Sequence, residues 1–362
     1  MVHCSKNEQH HLDRHRGSPL DLATSTAPHV SKPRLCLGID MGGSQTRWAA
    51  LMADGDTHGG CEKKQEQQEQ QQKSYVLAEG VTHGSTALHL QNPEVQGGLL
   101  SLFTEIARQL WAQVPLDNEA SADASALHIC AGITGLLGAD QQLIVRQLLQ
   151  QAFACPLEHI RANNDIEIAF YNAFEAGGGY LIYAGTGSIG AFIDRDQQLY
   201  RVGGHGYILD DAGGGYWIAR EALKHIWRRE DEQPGCWQQS AMAQAVFEQI
   251  GGHDWASSRQ FLYQGSRGQV GRLALAVAAC ADEDRDATGI LQRAGMELAR
   301  LADLLTRRFG HRDLALAGRI RELHPIIARS FEQHLPAETI VHYPSNAAHH
   351  AAAHLALRDA YL

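Results

Sequence analysis

Five residues in the stretch Leu35–Gly55, LCLGIDMGGSQTRWAALMADG, are of types that do chemistry: Asp40, Gly42, Gly43, Ser44 and Thr46. They interrupt two apolar runs. A tight turn of glycines and hydroxyl residues between two strands gathers backbone N–H groups in one concave spot. Glycine admits positive φ there and lets an anion approach the backbone closely. Such a nest suits a phosphate. Asp40 would repel a bare phosphate, and makes sense if Mg²⁺ lies between them, since hard cations take carboxylate oxygens. A second stretch, Tyr180–Gly204, YLIYAGTGSIGAFIDRDQQLYRVGG, repeats the design with Gly185, Thr186, Gly187 and Ser188. Two nests facing each other would hold the β- and γ-phosphates of a nucleotide across a cleft. Neither turn is a P-loop or a Rossmann fingerprint.

The elements that must position these turns alternate between strand and helix. Strands are expected at Leu35–Asp40 and Thr46–Ala53, with a turn at Asp54-Gly55, and the strand pattern resumes at Ser74–Ala78. Helical apolar spacing follows at Leu99, Leu102, Phe103, Ile106, Leu110 and Trp111. A buried strand, Ala126–Ala131, and a helix, Gln141–Phe153, come next. The second half shows strands at Tyr180–Ala184, Ile189–Ile193 and Gln198–Val202. Strand, glycine and hydroxyl turn, strand, polar turn, strand is thus written twice at low identity. It predicts an α/β protein of two similar domains. The tract Glu62–Lys73, EKKQEQQEQQQK, has no apolar face and reads as a solvated loop insert.

The bulk properties bound the reading. The chain has 362 residues, 44% hydrophobic and 20% charged, a globular composition with room for two domains. Lys and Arg total 31 against 41 Asp and Glu, a net charge of −10, which argues against a nucleic-acid partner. No apolar run approaches the ~20 residues of a membrane span. Residues 1–33 lack the apolar core of a secretory signal and read as a loosely held extension. The seven cysteines are widely spaced with no C-x-x-C pair, so neither disulfides nor zinc are indicated, and a reducing cytoplasm fits. Of the 20 histidines, the pairs His10-His11 and His349-His350 are candidate metal ligands. Polar surface for the first pair and helix packing or exposure for the second are the favoured readings.

Several segments together resemble the ASKHA superfamily of sugar kinases, actin and chaperone ATPases. GIDMGGSQT is similar to its first phosphate motif, YAGTGS to its second, and DLALAGRI, Asp313–Ile320, to its adenosine motif. NNDIEIAF, AGTGSIGAFI and especially VGGHGYILDDAGGGYWIAREAL resemble the N-acetylglucosamine kinase group, also called the BadF/BadG/BcrA/BcrD ATPase family. The resemblance spans about Leu35 to Leu357. It implies two ribonuclease H-like domains of the actin/hexokinase type around a nucleotide- and sugar-binding cleft. Their expected bounds are 34–174 with 345–362, and 175–344, the last helix returning to the first domain.

The resemblance also implies roles. Asp40 would organise Mg²⁺. Gly42, Gly43, Ser44, Thr46, Gly185, Thr186, Gly187, Ser188 and Gly318 would bind ATP. Gly203, Gly204 and Asp211 match sugar-contacting positions, and Ser85 lies in the region of the sugar-specificity loop. Asp165 matches the catalytic base. A hydroxyl acceptor needs a carboxylate to take its proton as the P–O bond forms. On residue type alone Asp165 would more simply N-cap the helix Ile166–Phe174, and Asp210 or Asp211 the helix Tyr216–Arg229. Trp217, Ile218, Ala222, Leu223, Ile226 and Trp227 have core spacing.

Three departures from the family stand out. The segment Glu79–His89, EGVTHGSTALH, lacks the Asn common in the specificity loop. Arg319 stands where a small residue is usual, and His350 where Gly is usual. One branch couples ATP hydrolysis to an iron–sulfur cluster bridged by cysteines at a dimer interface. Cys130 and Cys155 are the only candidates here, and neither lies in the expected glycine-rich turn. The expectation is an ATP-dependent kinase of an amino sugar, N-acetylglucosamine or glucosamine, acting at O6. Small-molecule partners and the homodimer suggested by the family go with it. An ATPase that drives a partner protein, and a non-catalytic sensor on the same fold, are the competing readings.

Overall fold

A computed structural model describes residues 34–43, 45–53, 74–114, 124–345 and 347–361. The expected N-terminal extension, the Gln-rich insert and Ser44 lie outside the described residues. The first half begins with β1 (Arg34–Met41), β2 (Gln45–Ala53) and β3 (Ser74–His83), an antiparallel meander. Then come α1 (Pro93–Gln113), β4 (Leu127–Ile133), α2 (Gly138–Phe153) and β5 (Ile160–Asn164). Strand β4 runs parallel to β1, and β5 parallel to β4. A short helix, α3 (Asp165–Tyr171), leads into the second half.

That half opens with a second antiparallel meander, β6 (Gly179–Ala184), β7 (Ser188–Ile193) and β8 (Leu199–Gly203). The helices α4 (Gly215–Glu232), α5 (Ala241–Ile250), α6 (Trp255–Gln264), α7 (Arg267–Gly271), α8 (Leu273–Ala279) and α9 (Arg285–Phe309) follow. The chain finishes with β9 (Asp313–Ala317), α10 (Pro325–Gln333), β10 (Val341–His342) and α11 (Ala348–Ala360). Strand β9 runs parallel to β6, and β10 parallel to β9. The two sheets, β3-β2-β1-β4-β5 and β8-β7-β6-β9-β10, therefore have the same order and the same strand directions. The design written twice in the sequence is carried out twice in space.

Strand β1 shows why the first sheet is covered on both faces. Leu35, Leu37, Ile39 and Met41 share a core with α1 and α2, while Cys36 faces the cluster made with α11. All five are essentially inaccessible, as expected of a strand with helices on either side. Gly38 is required on the α11 side. A Cβ there would lie 2.1 Å from the His349 carbonyl oxygen and 2.2 Å from the Ala353 nitrogen, so only glycine lets the last helix sit directly on β1. Helix α11 thus packs on the first sheet through Ala352, Ala353 and Ala356.

Helix α3 belongs to both halves. Its Ile166, Ala169 and Phe170 join the core of the second half, whereas Ile168 joins the α11 cluster. The core spacing read for α4 largely holds: Trp217, Ile218, Ala222, Leu223 and Ile226 are buried, and Trp227 is only partly buried against them. One expectation needs correction. Glu79–His83 is not loop but the end of β3, paired with β2 from Gln45↔His83 to Ala49↔Glu79. The free loop is only the few residues after His83.

Candidate active site

The site grows from the C-terminal ends of β1, β4 and β5 on one side and β6 and β9 on the other. Asp40 is the penultimate residue of β1, paired with Arg47 on β2 and Gly132 on β4. The turn that follows closes with the Gly42 N–H donating to the Gln45 carbonyl, 3.0 Å. The Ser85 N–H in turn donates to the Gly42 carbonyl at 3.1 Å, and the Thr134 N–H to the Met41 carbonyl at 3.0 Å. A Cβ on Gly43 would meet the Thr86 methyl at 3.5 Å. Ser85 is therefore a neighbour of the first glycine turn.

Asp165 opens α3, directly after β5. The cap of that helix is Asn164, whose side chain accepts the Ile166 N–H at 3.1 Å in a capping box with Glu167. The Asn164 amide also donates to the Leu136 carbonyl at 3.0 Å. The capping role read for Asp165 is thus filled by its neighbour. The Asp165 carboxylate accepts the Thr134 hydroxyl at 2.6 Å on Oδ2 and the Ile166 N–H at 3.0 Å on Oδ1. Thr134 ties the first turn, through Met41, to the acid on α3.

Electrostatics bring the two acids into one site. Burial, and then the charge of Asp165, push the Asp40 carboxyl up to about 6 against the pull of Arg47. Burial also raises Asp165, opposed by the Thr134 and Ile166 hydrogen bonds and by Arg201. Tyr183, near the end of β6, feels both acids. Burial, Asp40 and Asp165 push its phenol up to about 12, with Arg319 and Arg47 opposing. The end of the second sheet therefore looks across at the acids of the first.

The second glycine turn is built on the N-terminus of α4. The Gly185 N–H donates to the Gly187 carbonyl at 2.9 Å, and the Gly215 and Tyr216 N–H groups donate to the Gly185 and Thr186 carbonyls at 2.8 and 2.9 Å. The Ser188 hydroxyl donates to the Ala212 carbonyl at 2.6 Å, so it holds the turn to the 211–214 loop. A Cβ on Gly187 would fall 2.2 Å from Arg267 Nη2 and 2.3 Å from Asp211 Oδ2. Asp211 is 4% exposed at φ +55°, accepting the Gly206 N–H at 3.0 Å and the Arg267 guanidinium at 2.9 Å. Neither Asp210 nor Asp211 caps α4; Gly214 occupies that position. Gly318, at φ +89°, completes this side: a Cβ there would lie 2.2 Å from the Ala184 carbonyl oxygen.

The structure thus gathers Asp40, Gly42, Gly43, Ser85 and Asp165 on one wall and Gly185–Ser188, Asp211 and Gly318 on the other. Thr46 is placed elsewhere. It pairs with Met41, so the period of two turns its side chain to the core face with Ile39 and Trp48; it is fully buried and its hydroxyl has no partner. Gly203 and Gly204, at φ +64° and +67°, pack on Leu301 and Ile189 at the end of β8. Thr134, Tyr183, Arg201 and Arg267 were missed from sequence. Tyr183 and Arg201 lay inside a quoted stretch; Arg267 is 56 residues from its partner Asp211, and no spacing rule links them. The donor set fits Mg²⁺: Asp40 and Asp165 are acids crowded together beside a glycine turn, a pair a hard divalent cation would neutralise.

The BadF/BadG/BcrA/BcrD ATPase family pattern matches residues 37–348. The chain belongs to this family. Curated relatives match over a shorter stretch. An N-acetylmuramic acid/N-acetylglucosamine kinase of Clostridium acetobutylicum is 30% identical over 105 residues, 29% of this chain and 34% of its own. An N-acetyl-D-glucosamine kinase of Dictyostelium discoideum is 28% identical over 105 residues, 29% of this chain and 33% of its own. The matched stretch spans about a third of each relative. A solved Chromobacterium violaceum protein assigned as an N-acetylglucosamine kinase shares the fold at TM-score 0.62 and 22% identity, covering 89% of this chain and 99% of its own. A Streptomyces griseus ROK family glucokinase, solved with glucose and AMPPNP, superposes at TM-score 0.51 and 15% identity, covering 90% and 99%. The expected two-domain actin/hexokinase-type architecture is the architecture found.

Proposed function

We propose that this protein is an ATP-dependent sugar kinase that transfers the γ-phosphoryl group to a hydroxyl, O6, of an amino sugar such as N-acetylglucosamine or glucosamine. The observation that carries this reading is Asp165. Its capping duty is taken by Asn164, Thr134 fixes its rotamer, and burial raises its pKa towards that of a useful base. It faces a second wall bearing a glycine and hydroxyl turn. The curated relatives named as amino-sugar kinases support the substrate class.

Phosphoryl transfer needs positioning and charge neutralisation more than covalent help. The turns after Gly42 and Gly185, whose own N–H groups close them, would offer their remaining backbone N–H groups, such as those of Gly43 and Gly187, to the phosphates from opposite walls. Asp40 would hold Mg²⁺, which neutralises phosphate charge when bound with ATP. Asp165 orients the sugar hydroxyl in line with the γ-phosphorus and accepts its proton. Gly318 keeps the start of the next segment against Ala184, shaping the nucleoside end. Asp211, with both oxygens engaged, supports the second turn and acts on the sugar only if Arg267 releases it. Closure of the two walls would exclude water and limit idle hydrolysis.

The test is ADP release from Mg-ATP across N-acetylglucosamine, glucosamine, N-acetylmuramic acid, N-acetylmannosamine and glucose. One amino sugar should raise turnover strongly, and Asp165→Asn should lower that rate by about 10²–10⁴-fold while ATP binding persists. Hydrolysis that no sugar stimulates would refute the kinase and favour an ATPase acting on a protein partner. Nucleotide binding without any turnover would favour the sensor.

A further inference from the structure

The histidine pair at the start of α11 gains a third member in the fold. Glu79 on β3 reaches His350, with Nε2 3.4 Å from Oε2. One donor atom each from Glu79, His349 and His350 lies within 4.8 Å of the others. The two imidazoles stand at 88° with centroids 4.4 Å apart. His349 Nδ1 is buried with no hydrogen-bond partner, although buried ring nitrogens are normally satisfied. We propose that Glu79, His349 and His350 form a binding site for a zinc-like divalent transition-metal ion, separate from the Asp40–Asp165 site.

The donor chemistry selects the ion. Two borderline imidazole nitrogens with one hard carboxylate oxygen suit Zn²⁺, Co²⁺ or Ni²⁺ better than Mg²⁺ or Ca²⁺, which prefer all-oxygen sites. The 3.4 Å between the His350 and Glu79 atoms is the separation of two ligands each about 2.1 Å from a tetrahedral zinc. His349 offers the buried, unpartnered Nδ1 as a nitrogen donor beside them. The charges facing the cluster are Glu79, which favours a cation, and Arg47, which opposes one. The uncapped N-terminus of α11 opposes it too. Opposition of this kind leaves selection to the nitrogen donors more than to simple charge. A bound ion would clamp the start of α11 to β3, across the helix seat that Gly38 provides on β1.

The experiment is a Co²⁺ and Zn²⁺ titration of the full chain carrying His10→Ala and His11→Ala, which removes the other histidine pair. The expected result is one equivalent of Co²⁺ with visible ligand-field bands of a nitrogen-rich, low-coordinate site, displaced by Zn²⁺. Glu79→Gln and His350→Gly should each weaken binding by more than about 10-fold, the lower end of what loss of even an outer partner costs. His350 lies in the first turn of α11 and is partly exposed, so the fold should tolerate His350→Gly, and circular dichroism checks that it does. Absence of Co²⁺ binding at micromolar concentrations, or binding that neither substitution changes, would overturn the site. Neither readout depends on catalysis, so the result stands whether or not a sugar is phosphorylated.

Discussion

Asp40→Asn should stabilise the fold while removing activity, and the size of the gain follows from the site. The Asp40 carboxyl rises from its ordinary 3.8 to about 6, chiefly through burial and then through Asp165. A raised carboxyl means that the unfolded chain loses its proton first, so the folded state is penalised as pH rises from the lower to the higher value. The penalty is small near pH 4, about 0.6 kcal/mol, and complete above about pH 7, where two units correspond to about 3 kcal/mol. Asparagine keeps the shape and cannot ionise, so it removes the penalty. In a chain of this length about 3 kcal/mol is a rise in Tm of roughly 3–5 °C. The assay is thermal unfolding of both proteins in EDTA at pH 8 and pH 4, with sugar-stimulated ADP release measured alongside. The gain should be large at pH 8, nearly vanish at pH 4, and accompany a loss of turnover of about 100-fold or more. Equal Tm values at pH 8, or a gain independent of pH, would show that Asp40 carries no strained charge.

Three further substitutions or modifications test other parts of the argument. Gly318→Ala places a Cβ 2.2 Å from the Ala184 carbonyl oxygen at φ +89°, and should cost at least about 1–3 kcal/mol in urea denaturation and weaken nucleotide binding. Gly38→Ala should cost at least about 1–3 kcal/mol by lifting α11 from β1, read as accelerated hydrogen exchange in residues 348–360. Burial raises the thiols of Cys36 and Cys130 to about 12 and of Cys155 and Cys280 to about 11. These four should resist iodoacetamide at pH 8 until the protein is unfolded, with mass spectrometry as the readout. Rapid labelling of native Cys130 or Cys155 would reopen the iron–sulfur branch that their burial in the core argues against.

The fold was legible because the sequence states it twice. Both glycine and hydroxyl turns sit between apolar runs of strand length, and both become β-hairpins with the same sheet order around them. What a motif could not show was which way each side chain points. Thr46 falls inside the first motif, yet its pairing with Met41 sends it to the core. Asp165 and Asn164 are adjacent and both able to cap, and only the backbone decides that Asn164 does so. Long-range partners left no trace at all: Arg267 with Asp211, Thr134 with Asp165, Glu79 with His350. Each joins residues on different elements, where hydrophobic periodicity carries no information about polar pairing. The end of β3 reads as loop in the sequence because Gly80 and the polar Thr82 and His83 break the strand pattern. Gly80 is there to seat Trp48, whose ring would lie 2.6 Å from a Cβ at that position.

The placement of Asp165, the base of the proposed reaction, also ties the two halves together. Asp165 is not on the rim of either wall but at the first position of α3, the helix that both halves share. Ile166, Ala169 and Phe170 are locked into the second core, Ile168 into the cluster with α11, and the carboxylate itself into Thr134 of the first half. A rotation of one wall against the other cannot leave Asp165 behind, because close-packed interiors move as units and do not flow. Thr134 N–H also holds Met41, one residue after Asp40. The two acids are therefore tied through a single residue, and they keep their separation whichever half moves. On the proposed reading, Asp165 as base and Asp40 as metal-binding acid would hold a constant separation, the fixed geometry that in-line phosphoryl transfer needs.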